Sequence, residues 1–129
     1  MIATVTRVVT FEAAHSLPYV CAGHKCGRVH GHSYRVTVRV RGEVQTSGPE
    51  AGMVCDFARI DRVGRGLDHR TLNELDGLEN PTSELLAAWV IRRLRADGVE
   101  ALDVRVAETD RSEAHVLAAE VWRTMEAGR

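Results

Sequence analysis

The sequence predicts one α+β domain over residues 1–129, and three observations carry that reading. Two stretches near the start, residues 2–12 and 33–41, have strand patterns. Two helical segments follow, and strand alternation then returns after residue 101. The order ββααββ, with helices inserted between strand pairs, is an α+β arrangement. A chain of 129 residues with 44% hydrophobic and 27% charged residues has ordinary globular composition for a single core.

Residues 2–12 are rich in β-branched types. Over residues 33–41, Tyr34, Val36, Val38 and Val40 alternate with Arg35, Thr37, Arg39 and Arg41. Such a strand buries one face and leaves the other wet or at an interface, as in an antiparallel sheet. Gln45–Gly52, with Ser47-Gly48-Pro49, is a loop. Asp56-Phe57 opens a short helix, weakened by Gly64 and Gly66. A better helix covers about 82–97. Thr82 or Ser83 caps it after Pro81, Leu86, Val90 and Leu94 form its apolar stripe, and Gly98 stops it. Leu102, Val104 and Val106 then alternate as a third strand, and residues 115–125 read as a fourth.

The net charge is −1, from 17 basic and 18 acidic residues, so no general grip on nucleic acid is expected. Lys25 stands alone against sixteen arginines, a bias that a GC-rich genome explains. No apolar run approaches the ~20 residues of a membrane span, and the start of the chain has no signal-peptide pattern. Three cysteines are too few for a disulfide scaffold, so a reduced, cytoplasmic protein is expected. A monomer of this size buries only about 65–70% of its unfolded surface, which makes oligomerisation a useful supplement.

The histidines are clustered. His15, His24, His30 and His32 fall within eighteen residues. On a strand, His30 and His32 project to the same side about 6.5–7 Å apart, and a hairpin partner brings His15 alongside. Three histidines with one coordination position left open is the arrangement of a catalytic zinc, although histidine pairs on strands are also common as plain surface residues. Cys21-x4-Cys26 has no second cysteine pair to complete a structural zinc site. Cys26 lies beside Lys25, Arg28 and the histidine pair, surroundings that favour a thiolate acting as base or nucleophile. Cys55, in an apolar run, reads as a small buried hydrophobe, and Cys21 stays open between packing and loop. Asp68 next to His69 can orient the imidazole and raise its basicity, or be a solvated loop pair. Glu108 continues the Val104–Val106 parity onto the apolar face. A carboxylate there is costly unless paired, and a ligand with two parallel N–H donors pairs it well.

These residues fall into motifs that run almost end to end: Phe11-Glu12-Ala13-Ala14-His15, Lys25-Cys26 through His32-Ser33-Tyr34, and Gly52-Met53-Val54-Cys55-Asp56-Phe57. Leu67-Asp68-His69, Leu72-Asn73, Asn80-Pro81-Thr82-Ser83-Glu84 and Glu108-Thr109 follow. The chain thereby resembles the 6-pyruvoyl-tetrahydropterin synthase / 6-carboxytetrahydropterin synthase family. The resemblance implies the tunnelling (T-) fold, with a four-stranded antiparallel sheet and two helices between the strand pairs. It implies zinc on His15, His30 and His32, proton acceptance by Cys26, a relay of Asp68 and His69, and a pterin ring anchored by Glu108, which is also counted with the relay. Thr82 and Ser83 fall where the family places hydroxyls near the pterin.

The implied substrate is dihydroneopterin triphosphate, and the implied assembly is a homo-hexamer, a dimer of trimers with shared sites. Two outcomes share this machinery. The carboxy branch loses acetaldehyde and leads toward 7-deazaguanine compounds such as queuosine, whereas the pyruvoyl branch keeps all carbons. The compact chain, the Lys-Cys-x3-His-Gly-His pattern and the arginine bias favour the carboxy branch. Cys26 argues against a subgroup that carries glutamate there and makes a folate precursor. Val116, where relatives often carry an aromatic, and Asp61, where many are basic nearby, depart from the pattern without removing a catalytic residue. A reading of another class, a non-catalytic zinc- or purine-binding module, needs the histidines but not Cys26, Asp68 and His69.

Overall fold

The computed structural model describes residues 1–129. Two long strands, β1 (Ile2–His15) and β2 (His30–Glu43), form an antiparallel hairpin in unbroken register from Ile2–Glu43 to His15–His30. Both run further than their β-branched cores suggest. At the hairpin's closed end the extra residues are Ala13, Ala14, His15, His30, Gly31 and His32, with weak strand preference of their own, and the pairing itself holds them extended.

Helix α1 (Phe57–Leu67) and helix α2 (Ser83–Ala96) pack on one face of the sheet. The expected capping is present. Asp56 accepts from the Ala58 N–H at 2.9 Å, and Thr82 Oγ1 accepts from the Leu85 N–H at 3.2 Å. Gly98, at φ +82°, turns the chain out of α2 in the left-handed region. Gly64 does not cut α1 short. A Cβ there would lie 2.2 Å from Val9 Cγ1, so the glycine is what lets α1 approach the sheet. The carboxylate of Asp61 takes both parallel N–H donors of Arg7 at 2.8 Å, tying α1 to β1.

The sheet has five strands rather than four, in the order β3-β1-β2-β4-β5. The additional strand, β3 (Arg70–Thr71), pairs parallel with Ala13–Ala14 of β1. Two residues are too short to show any periodicity. Strand β4 (Asp103–Thr109) begins one residue after Leu102, which is 38% exposed, so the apolar face starts at Val104. The expected strand over 115–125 is corrected to β5 (Ser112–Leu117) followed by helix α3 (Ala118–Ala127). Ala118, Val121 and Trp122 recur at helical spacing and lie against the core, and this period wins over strand alternation.

The core lies between the sheet and the helices. Phe11, Tyr34, Val36, Val38, Val104 and Val106 come from the sheet, and Ile60, Leu67, Leu86, Ile91 and Leu94 from α1 and α2. The facing row of Arg35, Thr37, Arg39 and Arg41 points the other way, as the alternation predicts. Cys55 packs half-buried against the core, and Cys21 is exposed in the loop between β1 and β2.

Candidate functional site

The pairing that extends β1 and β2 also builds the site. His15 is the last residue of β1 and the direct partner of His30, while His32 lies opposite Ala13. All three are on the side chain parity of Phe11, Ala13, Tyr34 and Val36, so the apolar face of the sheet continues into three imidazoles at one end. Ring centroids are 4.6 Å apart for His15–His30, 5.0 Å for His15–His32 and 4.9 Å for His30–His32. One nitrogen from each ring lies within 4.8 Å of the others.

Hydrogen bonding orients two of the rings. His15 Nδ1 lies 2.8 Å from the Pro81 carbonyl and His30 Nδ1 lies 2.7 Å from the Arg28 carbonyl. A carbonyl only accepts, so each Nδ1 carries the proton and each Nε2 keeps its lone pair. Nε2 of His15 and of His32 is buried without any hydrogen-bond partner. Buried polar atoms are normally satisfied, and a cation held between the rings would satisfy both nitrogens. His15 is 1% exposed, and desolvation, ahead of its contacts with Pro81 and Glu108, pushes its pKa down. That favours the neutral imidazole a metal needs. The three histidines fit a metal ion with an open position.

The loops around the histidines are tied down by side chains whose roles the sequence does not announce. Asn73 accepts from the Ser16 N–H at 2.9 Å and donates to the Ser16 carbonyl at 2.8 Å, gripping the chain just beyond His15. Pro81, one residue before the Thr82 cap, supplies the carbonyl that turns His15. Tyr34 lies beneath the cluster, 6.0 Å from His15 and 5.5 Å from His32 between centroids. Its buried hydroxyl has no partner, and burial first, then Glu108, holds the phenol protonated.

Glu108 sits one residue past the last β2–β4 pair, Arg35–Ala107, and its carboxylate reaches the cluster. Its oxygens are 3.8 Å from His15 Nε2 and 3.6 Å from His32 Nε2, with the side chain 24% exposed. The strand parity therefore leads where the sequence points.

Asp68 and His69 meet as a pair, with His69 Nδ1 3.0 Å from Asp68 Oδ1. The Glu12 N–H also donates to Asp68 Oδ1 at 3.0 Å, and the His69 N–H donates to the Glu12 carbonyl at 2.6 Å. The Glu12 N–H, with His69 second, holds the Asp68 carboxyl below its usual range. His69 has φ +57°, a left-handed conformation uncommon outside glycine, and the Glu12 clamp is what maintains it. His69 and His32 line one open cleft together with Glu12, Ser33 and Arg70.

Cys26 lies in a single 3-10 turn, Lys25–Gly27, half-buried and unpaired. His24 Nδ1 accepts from the Cys26 N–H at 3.0 Å, which gives His24 a capping role. No hydrogen bond or ion pair joins Cys26 to the histidine cluster or to Asp68–His69 within one chain. Thr82 and Ser83 are at the start of α2, and the Thr82 hydroxyl oxygen is engaged as its cap.

Comparisons with known proteins identify the family of the chain. The family model described as 6-pyruvoyl tetrahydropterin synthase matches residues 4–119. A Synechocystis protein named 6-carboxy-5,6,7,8-tetrahydropterin synthase is 47% identical over 107 residues, covering 78% of this chain and 81% of the relative. A dihydroneopterin monophosphate aldolase from Pyrococcus furiosus is 34% identical over 90 residues, covering 67% of this chain and 69% of the relative. The solved Caenorhabditis elegans 6-pyruvoyl tetrahydropterin synthase superposes with a TM-score of 0.74 at 28% identity, covering 91% of this chain and 96% of that one. The architecture, a five-stranded sheet with helices on one face and histidines at the end of its first hairpin, is the tunnelling fold. By the reach of the family model and the identity of these relatives, the chain belongs to the 6-pyruvoyl tetrahydropterin synthase family.

Proposed function

We propose that this protein is a zinc-dependent 6-carboxy-5,6,7,8-tetrahydropterin synthase. It converts 7,8-dihydroneopterin triphosphate and one water to 6-carboxytetrahydropterin with release of acetaldehyde and triphosphate, in 7-deazaguanine biosynthesis leading to queuosine or another deazapurine. The observation that carries the reading is the convergence of three imidazole nitrogens, two of them buried and unpartnered, beside the carboxylate of Glu108. The choice of branch follows the names of the Synechocystis relative and of an Archaeoglobus fulgidus relative 41% identical over 106 residues.

His15, His30 and His32 would hold the zinc, which when bound would supply Lewis acidity toward hydroxyls of the substrate side chain. Glu108 accepts the two N–H donors along the amino-pyrimidinone edge of the ring and so fixes which side-chain carbons lie at the histidines. Cys26, as thiolate, takes a proton from the side chain. His69, whose Nδ1 is occupied by Asp68, presents Nε2 to move protons during tautomerisation. Thr82 and Ser83 provide hydroxyls near the ring. The working form is a homo-hexamer whose sites are shared between subunits. Two features support sharing: His69 is 79% exposed on a single chain, and Tyr19 and Val29, in the loop that carries Cys26, are 82% and 70% exposed.

A second reading, 6-pyruvoyl-tetrahydropterin synthase, retains all the carbons, and the likeness to the Caenorhabditis elegans structure favours it. One experiment separates the readings. Purified protein is incubated with dihydroneopterin triphosphate and the products are resolved by mass. Acetaldehyde and triphosphate in equal amounts are expected. Triphosphate without acetaldehyde moves the protein to the pyruvoyl branch. The Cys26→Ala protein should keep its zinc yet lose at least about a hundredfold in turnover, because a positioned proton acceptor contributes 10²–10⁴-fold. Full activity in that variant would sink the mechanism, and no turnover by the wild type would favour a binding module.

A further inference from the structure

Both main-chain groups of Cys26 are hydrogen-bonded, and one of the two bonds comes from a side chain. The Leu17 N–H donates to the Cys26 carbonyl at 2.8 Å, which ties the cysteine to the chain just beyond His15. The Cys26 N–H donates to Nδ1 of His24 at 3.0 Å. His24 has the extended backbone of a cap, with φ −66° and ψ 132°, and its carbonyl accepts from the Gly27 N–H at 3.0 Å. The turn Lys25–Gly27 then closes through the Arg28 N–H onto the Lys25 carbonyl at 3.3 Å. The next carbonyl, that of Arg28, is the one that orients His30. Cap, cysteine and candidate metal ligand therefore follow one another along a single short segment.

A turn of three residues gains little from its own bonds, and the N–H groups at its start have no partner inside it. A side-chain acceptor at the cap supplies one. Histidine is an unusual residue for that task, where Ser, Thr, Asp and Asn are preferred. Its ring is exposed, so packing in the core does not explain it. For Nδ1 to accept, the imidazole is neutral and carries its proton on Nε2.

We propose that His24 is the positioning residue of Cys26: its imidazole fixes the turn that carries the thiol and so sets where the proton acceptor stands. The inference rests on Cys26 being that acceptor, as in the proposed function. His24 acts through Cys26 and transfers no proton of its own.

The test exploits the shape of the imidazole. Asn Oδ1 stands as many bonds from the main chain as His Nδ1, whereas Gln Oε1 matches Nε2. His24→Asn therefore keeps the acceptor, and His24→Gln and His24→Ala lose it. Exchange of the Cys26 amide hydrogen, read by rapid mixing and mass spectrometry, should quicken about fivefold in the Ala and Gln variants, the worth of one cap. With zinc-loaded protein and dihydroneopterin triphosphate, kcat should fall by about the same fivefold in those two, because the ordered fraction of the turn falls. KM and zinc content should stay within about twofold of wild type, and His24→Asn should restore both kcat and amide protection. In the Cys26→Ala background, His24→Ala should leave the residual rate unchanged, since nothing remains for it to act through.

Full kcat in His24→Ala overturns the proposal, as does zinc lost in parallel with turnover. Equal loss in the Ala, Gln and Asn variants also overturns it, because an amide replaces a cap but not a proton-transferring imidazole. In each of these cases the pterin synthase reading stands. A fully active Cys26→Ala, or a wild type without turnover, overturns that reading and the catalytic role of His24 with it.

Discussion

At His15 and His30 one ring nitrogen donates to a main-chain carbonyl, and that bond decides what the other nitrogen does. With Nδ1 protonated and fixed, Nε2 is a lone pair aimed at a common point. Second partners of this kind normally accompany metal-ligating histidines, and here they are backbone carbonyls of Pro81 and Arg28. Glu108 belongs to the same neighbourhood, and the proposed function gives it a different task. One zinc per subunit is expected by metal analysis, lost in His30→Ala and retained in Glu108→Ala. The Glu108 variant should instead lose about 2–5 kcal/mol of affinity for a non-reacting pterin, since two ring donors are left without their charged partner. Unchanged pterin affinity would make Glu108 only a strand-end residue, and full zinc in His30→Ala would remove the metal site.

Among the elements, the β1–β2 hairpin and α1 contribute most to placing the site. The hairpin's register brings His15 beside His30, and a slip of one residue would turn every one of these side chains to the wet face. Helix α1 depends on a close approach at Gly64. In an exposed helix interior, glycine to alanine gains about 0.5–1 kcal/mol from backbone entropy. At this position the added methyl would overlap Val9, and forced overpacking typically costs about 1–3 kcal/mol. Gly64→Ala should therefore lower stability in a urea titration, and a more stable variant would show that α1 shifts freely.

Across the whole molecule, one buried carboxylate joins three strands on the face opposite the helices. Asp103 is fully buried and is held by Arg39, with Arg39 Nε 2.9 Å from one carboxylate oxygen, and by His115 Nε2 at 3.1 Å. The hydrogen bond from Arg39 is the main cause that depresses its pKa, opposed by burial and helped by His115. A carboxyl lowered in the folded state stabilises above its unfolded pKa of about 3.9, and the gain disappears as pH falls through the folded value. Asp103→Asn should thus cost roughly 1–3 kcal/mol at neutral pH. The gap to wild type should narrow as the pH is taken below about 4. An equal gap at every pH would assign the loss to packing rather than charge. At the level of assembly, light scattering at micromolar concentration should find a hexamer. A monomer would contradict the shared site.

The sequence by itself determined the α+β class, the inward row of Tyr34, Val36, Val38 and Val40, a helix cap at Thr82 or Ser83, and the candidate metal histidines. Each of these is written in local periodicity or in residue chemistry that carries its own signal. The parity of Val104 and Val106 likewise led to Glu108. The tertiary structure decided what depends on partners distant in the chain. His15 and His30 are fifteen residues apart in sequence but direct partners in the hairpin, and the Pro81 carbonyl reaches His15 across 66 residues. Strand β3 exists because Ala13 and Ala14 offer an edge to Arg70 and Thr71, and no two-residue segment carries a period that could announce it. By sequence Gly64 reads as a weakness in a helix, whereas in the fold it lies against Val9. The left-handed His69 is sustained by Glu12, whose main-chain groups bind both it and Asp68. Propensity and alternation are properties of neighbouring residues, whereas register, close approach and hydrogen-bond partners belong to the folded chain as a whole.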